Sequence, residues 1–194
     1  AGNPVEVWRD YGLLVSKTAP SFHYDFNDPA AKPTVGPAFV KQGNVAEAAS
    51  FSPGLGNALK FSGDGHLRLS GKPESDGNFF GLEFWLRPDD LANRQVIYSD
   101  IGSAPGNVIV YLEGNKLCFS LVGSGVKSMD LGADVKAGQW YHFGVSYERS
   151  EYFRGRNAVR FYRDGLLRSE ESFGFEQSRP VRLGEATIGA RNPG

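Results

Sequence analysis

From about residue 20 onward, apolar residues recur at alternate positions in short runs that turn-forming residues interrupt, the pattern of an all-β chain. The pattern predicts strands at Phe22–Phe26, Ala58–Phe61, Leu67–Leu69, Phe80–Leu86, Gln95–Asp100 and Val108–Leu112. It predicts further strands at Leu117–Val122, Gln139–Tyr147, Ala158–Arg163, Leu166–Phe173 and Ala186–Gly189. Glu113-Gly114-Asn115 and Asp164-Gly165 are the strongest hairpin signals, because Gly and Asn accept the positive φ of primed turns. Residues 1–19 stand outside the pattern; their Trp8, Tyr11 and Leu13–Val15 could add a strand or dock elsewhere.

Alternation also sorts side chains into two faces. Leu82, Phe84 and Leu86 share one face, with Glu83, Trp85 and Arg87 opposite. Tyr141, Phe143, Val145 and Tyr147 oppose Trp140, His142, Gly144 and Ser146, and Val159 and Phe161 oppose Arg160 and Tyr162. The first set of each is the natural core between two sheets. The second sets mix aromatic with polar groups, which is unusual for a merely solvated face.

Composition agrees with this reading. The 194 residues hold 25 Gly and 11 Pro, fitting one strand-rich domain with many reversals. Lys and Arg number 21 against 22 Asp and Glu, without the basic surplus that nucleic acid requires. One local patch departs from balance, since Glu148–Arg168 carries six Arg against two Glu and one Asp. No apolar run is long enough to span a membrane. The single Cys118 excludes an intrachain disulfide. Ala1-Gly2-Asn3-Pro4 fits the end left by signal cleavage and equally an arbitrary boundary. A secreted or periplasmic setting is the expectation.

Ordered segments carry a resemblance. Ser21–Asp28 resembles an opening strand, and Ala58-Leu59-Lys60-Phe61-Ser62-Gly63-Asp64-Gly65 with His66–Leu69 resembles an "ALxFdG…yv" pair. Leu82–Pro88 resembles "veaWvkP", Gly138–Tyr147 resembles "gqWyHvavty", Phe161–Gly165 resembles "lyvDG", and Ala186–Ala190 resembles the "lxIG" strand. Together these segments are similar to a laminin-G-like jelly roll of the concanavalin A-like lectin/glucanase superfamily. The resemblance implies a two-sheet antiparallel sandwich over residues 20–194, with residues 1–19 as an N-terminal extension. It also implies one more strand after "IG", which the sequence to Gly194 does not contain. The expectation is a domain incomplete at its C-terminus. Cleavage or a strand from a second polypeptide is favoured over substitution by residues 1–19.

Enzyme chemistry finds little support. Retaining glycoside hydrolysis needs two carboxylates about 5 Å apart, and the E-x-D run Glu74-Ser75-Asp76 falls in a Gly- and Pro-rich turn. Arg168-Ser169-Glu170 faintly matches a lyase motif whose partner motifs are absent. There is no G-x-S-x-G and no H-E-x-x-H, and His23, His66 and His142 are isolated in sequence. Cys118, between Leu117 and Phe119, reads as a bland strand thiol.

Binding chemistry offers three candidates. Rim loops can supply the oxygens that calcium needs, and one structural ion near Asp64, Asp100 or Asn107 is the candidate, with ordinary Asx turns as the alternative. A pentraxin-type double site is not expected, because Gly106 and Arg191 stand where its acids would be. Trp85, Trp140, His142, Arg160 and Tyr162 form a face suited to carbohydrate, although the resemblance implies that both Trp are kept for structure. Tyr152, Phe153 and Arg154, flanked by Arg149 and Arg156, form a second aromatic and cationic cluster. The sequence thus reads as a non-catalytic binding module contacting glycan or protein through rim loops. The alternatives are an assembly subunit completed by another polypeptide, or an accessory domain of a larger enzyme.

Overall fold

The computed structural model describes residues 20, 22–24, 26, 35–50, 57–72, 75, 77–100, 102–150 and 157–190. Among them there is no helix, and so none long and apolar enough to cross a membrane. The strands are β1 (Phe39–Ala49), β2 (Asn57–Leu69), β3 (Phe79–Leu86), β4 (Gln95–Asp100), β5 (Val108–Glu113), β6 (Lys116–Leu121), β7 (Gly125–Asp130), β8 (Tyr141–Glu148), β9 (Ala158–Arg163), β10 (Leu166–Ser172) and β11 (Ala186–Ile188). They form a seven-stranded sheet, β1-β2-β11-β4-β5-β6-β7, against a four-stranded sheet, β10-β9-β8-β3. All pairings given by the register are antiparallel.

The alternation read from sequence places the core. Phe119, Phe143, Phe161, Tyr98 and Tyr147 are almost fully buried between the sheets. Phe119 binds the layers together, with ring centroids 5.8 Å from Phe80 of β3 and 5.8 Å from Tyr147 of β8. Burying such a ring contributes about 1.5–3 kcal/mol by transfer alone. Both hairpin signals resolve into tight turns: Gly114 and Asn115 take φ of 57° and 61°, and Asp164 and Gly165 take 53° and 77°.

Three expectations change. The segment Phe22–Phe26 makes a single bridge, His23 to Val35, among the described residues, and no strand there. Its rings cap Phe39 instead, Tyr24 at 5.0 Å and Phe26 at 5.8 Å. Ala58–Phe61 and Leu67–Leu69 belong to one long strand, because β1 pairs with it on both sides of Gly63-Asp64-Gly65, three residues that the register shift at Gln42/Asn44 leaves without partners on β1. Strands β1 and β7 appear where alternation gave no signal, for they lie at the two edges of the sheet with a single buried residue each.

The four-stranded sheet does not cover its partner fully. Strand β3 lies over β4, where Phe80 and Tyr98 meet at 5.7 Å. Beyond it, Val45, Leu59 and Phe61 pack on the core yet stay half-buried, as do Leu82, Phe84 and Leu86 of β3.

Candidate functional site

The outer face of the four-stranded sheet gathers the sequence-predicted aromatic residues. Trp85 lies directly across from His142, Glu83 from Gly144, and Phe79 from Glu148. On the other side of β8, Gly144 opposes Tyr162 and Ser146 opposes Arg160. Tyr162 in turn opposes Leu167, and Arg160 opposes Glu170. With neighbouring strands roughly 4.8 Å apart, these side chains form a continuous lattice on one surface. Trp140, just before β8, joins its end, with the Arg87 guanidinium 5.8 Å from the indole centroid.

Each member is held differently. The His142 imidazole sits against Trp85 with centroids 5.1 Å apart, and its Nε2 is 3.8 Å from a Glu83 carboxylate oxygen. The Asp164 side chain accepts the His142 backbone N–H at 3.1 Å, which ties the β9–β10 turn to this strand. Burial holds the His142 pKa below its ordinary value, while Glu83 and Asp164 oppose that shift. Arg160 donates to Glu170 at 2.6 Å and to Glu148 at 3.0 Å. Its pKa is raised by those hydrogen bonds. The guanidinium thus bridges the two carboxylates of Glu148 and Glu170.

Gly144 shapes the centre of this surface. A Cβ built there would meet Tyr162 Cβ at 3.4 Å and Glu83 Cγ at 3.6 Å, so Tyr162 and Glu83 close over the bare backbone. Tyr162 thus lies low across the strand and offers ring surface beside a carboxylate. The lattice ends in two exposed apolar side chains, Phe79 and Leu167. Sequence reasoning named neither Glu83 nor Gly144 as functional, nor the carboxylates that fix Arg160. The available signal was the same-face spacing of Glu83 with Trp85. Tyr152, Phe153 and Arg154 lie outside the described residues.

The calcium candidates fall into two separate places. Asp64 stands in the irregular β1–β2 pairing beside Gly43, and its backbone carbonyl meets His66 Nδ1 at 2.8 Å. Asp100 ends β4 and pairs with Ala186, about five or six residues along the sheet from Asp64, or roughly 17–20 Å at strand rise. Asp100 is fully buried. Its carboxylate accepts hydrogen bonds from Val108 N–H at 2.8 Å, Tyr98 Oη–H at 2.9 Å and Gly184 N–H at 3.2 Å. Burial raises its pKa, and the donors oppose that shift. Asn107 donates through Nδ2 to the Arg182 carbonyl at 2.9 Å. The Asp100 carboxylate is ringed by N–H and O–H donors that satisfy three of its acceptor positions. Among the described residues no three His, Cys, Asp or Glu side chains gather as a metal site.

Cys118 faces outward from the seven-stranded sheet yet is buried with Ile109 and Tyr111. Burial pushes its thiol pKa up, the reverse of what a nucleophile requires.

Solved structures share this architecture. Domain 4 of AbnA, an extracellular GH43 arabinanase from Geobacillus stearothermophilus in complex with arabinotriose, matches at TM-score 0.60 and 16% identity, covering 89% of this chain and 84% of its own. The botulinum neurotoxin serotype G binding domain matches at TM-score 0.60 and 15% identity, over 87% of this chain. This chain spans only 42% of that toxin chain. A heptameric SAP-like pentraxin from Limulus polyphemus matches at TM-score 0.51 and 16% identity, covering 74% of this chain and 62% of the pentraxin. No curated protein matches significantly in sequence. A family model described as the Concanavalin A-like lectin/glucanases superfamily matches residues 61–194, more than half of the sequence. The jelly-roll sandwich described above therefore belongs to the Concanavalin A-like lectin/glucanases superfamily.

Proposed function

We infer that this chain is a non-catalytic glycan-binding module that works outside the cytoplasm, and that it binds through the outer face of its four-stranded sheet. The observation that carries this reading is the lattice itself. Tyr162 lies low over Gly144 beside Glu83, and Trp85 is braced by His142. Sugar rings stack their C–H faces on aromatic surfaces and present hydroxyls to carboxylates and guanidinium groups held nearby. Arg160, locked between Glu148 and Glu170, supplies a fixed polar neighbour. The arabinanase domain crystallised with arabinotriose supports the ligand class and the extracellular setting. Titration with arabinotriose and a panel of soluble glycans, followed by tryptophan fluorescence, tests the reading. Saturable binding that weakens about tenfold in Tyr162→Ala is expected, the loss of one aromatic stacking contact. No response to any glycan would sink it.

A second reading has its own observation. Leu82 and Phe84 of β3 pack on the core yet stay half-buried, as do Leu59 and Phe61 of β2, and one more strand laid beside β3 would cover more of this apolar surface. In this reading the sheet is completed by a further segment of polypeptide, and the domain serves in assembly. Hydrogen exchange along β3 separates this reading from a finished sandwich.

A further inference from the structure

We propose that a cleft at the open edge of the sandwich, distinct from the outer face, binds a single neutral sugar unit. The cleft lies where β7, at the edge of one sheet, approaches β10, at the edge of the other. Met129, Asp130, Leu131, Asp134, Arg163 and Arg168 line it, and its volume is about 220 Å³. Ligand pockets for drug-sized molecules run from roughly 300 to 1,000 Å³, so this one takes one ring and not an oligosaccharide.

Its wall is rigid before any ligand arrives. The Arg163 guanidinium donates to both Asp134 carboxylate oxygens, at 3.1 and 2.6 Å, and to the Leu131 carbonyl. Gly132 takes φ +84°, and a Cβ there would stand 2.7 Å from Asp134 Oδ1, so the turn that carries Asp134 requires glycine. Met129 and Leu131 close the floor, both nearly fully buried.

Among the described residues the Arg168 side chain makes no hydrogen bond, and its charge only adds to the Arg163 hydrogen bond that holds the Asp134 pKa low. The β9–β10 register shifts between Leu167 and Ser169, which makes Arg168 the extra residue of a bulge. A bulge re-aims the side chain it carries, and here that side chain lines the cleft. Among the described residues no carboxylate pairs with Arg168 within ion-pair distance. Asp130 is committed at one oxygen only, which accepts the Gly132 N–H at 2.8 Å. The cleft thus presents one guanidinium and one carboxylate oxygen with unused hydrogen-bonding capacity.

Charge selects the ligand class. Two Arg and two Asp line the cleft, so neither an anion nor a cation is favoured overall. A neutral molecule with several adjacent hydroxyls fits both a guanidinium donor and a carboxylate acceptor. This site shares the ligand class of the outer-face reading but none of its residues.

Met129 is the only methionine, so a methyl-labelled sample gives one resonance that reports on the cleft. That resonance is followed while galactose, arabinose, galacturonate and glucosamine are added separately. A saturable shift with a neutral sugar is expected, weakened about tenfold by Arg168→Ala or Asp130→Asn through loss of a charged hydrogen bond. Arg168 and Asp130 are exposed, and circular dichroism checks that both variants stay folded. Trp85→Ala, run in parallel, should leave the Met129 response intact, which separates failure of the outer-face reading from failure of this one. No saturable shift with any probe, a shift unchanged in both variants, or tighter binding of galacturonate than of the neutral sugars would overturn the proposal.

Discussion

The imidazole of His142 stands 5.1 Å from the indole of Trp85, ring to ring across a directly paired position of β3 and β8. This contact couples the protonation of one residue to the environment of the other. Burial, the largest cause, lowers the His142 pKa from 6.5, while Glu83 and Asp164 raise it. Below 6.5, the unfolded chain therefore binds a proton that the folded chain resists. Stability from this group is present above 6.5 and is lost as pH falls through the folded value. Thermal melts from pH 7.5 to 5 should show wild type losing melting temperature more steeply than His142→Gln. Equal slopes would show that the imidazole does not titrate against burial.

Gly144 gives a prediction that separates shape from stability. A methyl group at this position meets Tyr162 and Glu83 at ordinary contact distance, and its backbone is not left-handed. Gly144→Ala should leave stability within about 1 kcal/mol of wild type, since a strand glycine is itself unfavourable by roughly 0.5–1 kcal/mol. Gly144→Val must lift the Tyr162 ring off the sheet, and glycan affinity should then fall while the protein stays folded. Denaturant melts and binding titrations on both variants check this.

The strands that alternation predicts are those with one buried and one solvated face, such as β8, where Phe143, Val145 and Tyr147 are buried. Strand β1 was not legible because its Gly, Asn, Glu and Ala positions carry no period. Its partners on β2 hold it, through ten paired positions. In β7 only Met129 is buried, so nothing in its own sequence marks it as a strand. The outer lattice of Trp85, Trp140, His142, Arg160 and Tyr162 was legible because same-face residues follow from a period of two. Its neighbours across strands depend on register, which the sequence leaves open. Glu170 beside Arg160 and Asp164 beside His142 are consequences of that register. The edge cleft depends on a bulge, and a bulge leaves no mark that separates Arg168 from any exposed arginine.

Asp100 carries a stability prediction and a metal prediction together. Removing its carboxylate leaves Val108 N–H, Gly184 N–H and the Tyr98 hydroxyl without their acceptor in a buried setting. Asp100→Ala should destabilise the fold by on the order of 3 kcal/mol, the cost of buried donors left unsatisfied. A cation that bound the native state here would raise the melting temperature. Because three donors already occupy the carboxylate, millimolar calcium should leave the melting temperature unchanged. A calcium-dependent rise that Asp100→Ala abolishes would overturn this assignment.

The loop beside it is as sharply constrained. Gly106 has φ +96°, and a Cβ would approach the Pro180 carbonyl oxygen to 2.4 Å. That oxygen is backbone and cannot rotate away, while Gly106 also links Val122 and Arg182 through its own N–H and C=O. Gly106→Ala should lower stability by about 2 kcal/mol or more in chemical denaturation, through positive φ and a backbone clash together.

Strand β3 tests whether the sandwich is complete. It pairs with β8 along its whole length, from Phe79 opposite Glu148 to Leu86 opposite Tyr141, and is the last strand of its sheet among the described residues. In an antiparallel edge strand every second N–H points to the partner, and the others point away. Native-state hydrogen exchange over Phe79–Leu86 should therefore alternate between protected and fast amides. An added strand would protect the fast set and cover Leu82 and Phe84 as well. Exposed edges of this kind are templates for pairing, so the fast amides should slow on addition of whichever segment completes the sheet. Uniform protection in the 194-residue chain would mean that β3 is already covered and would sink the assembly reading.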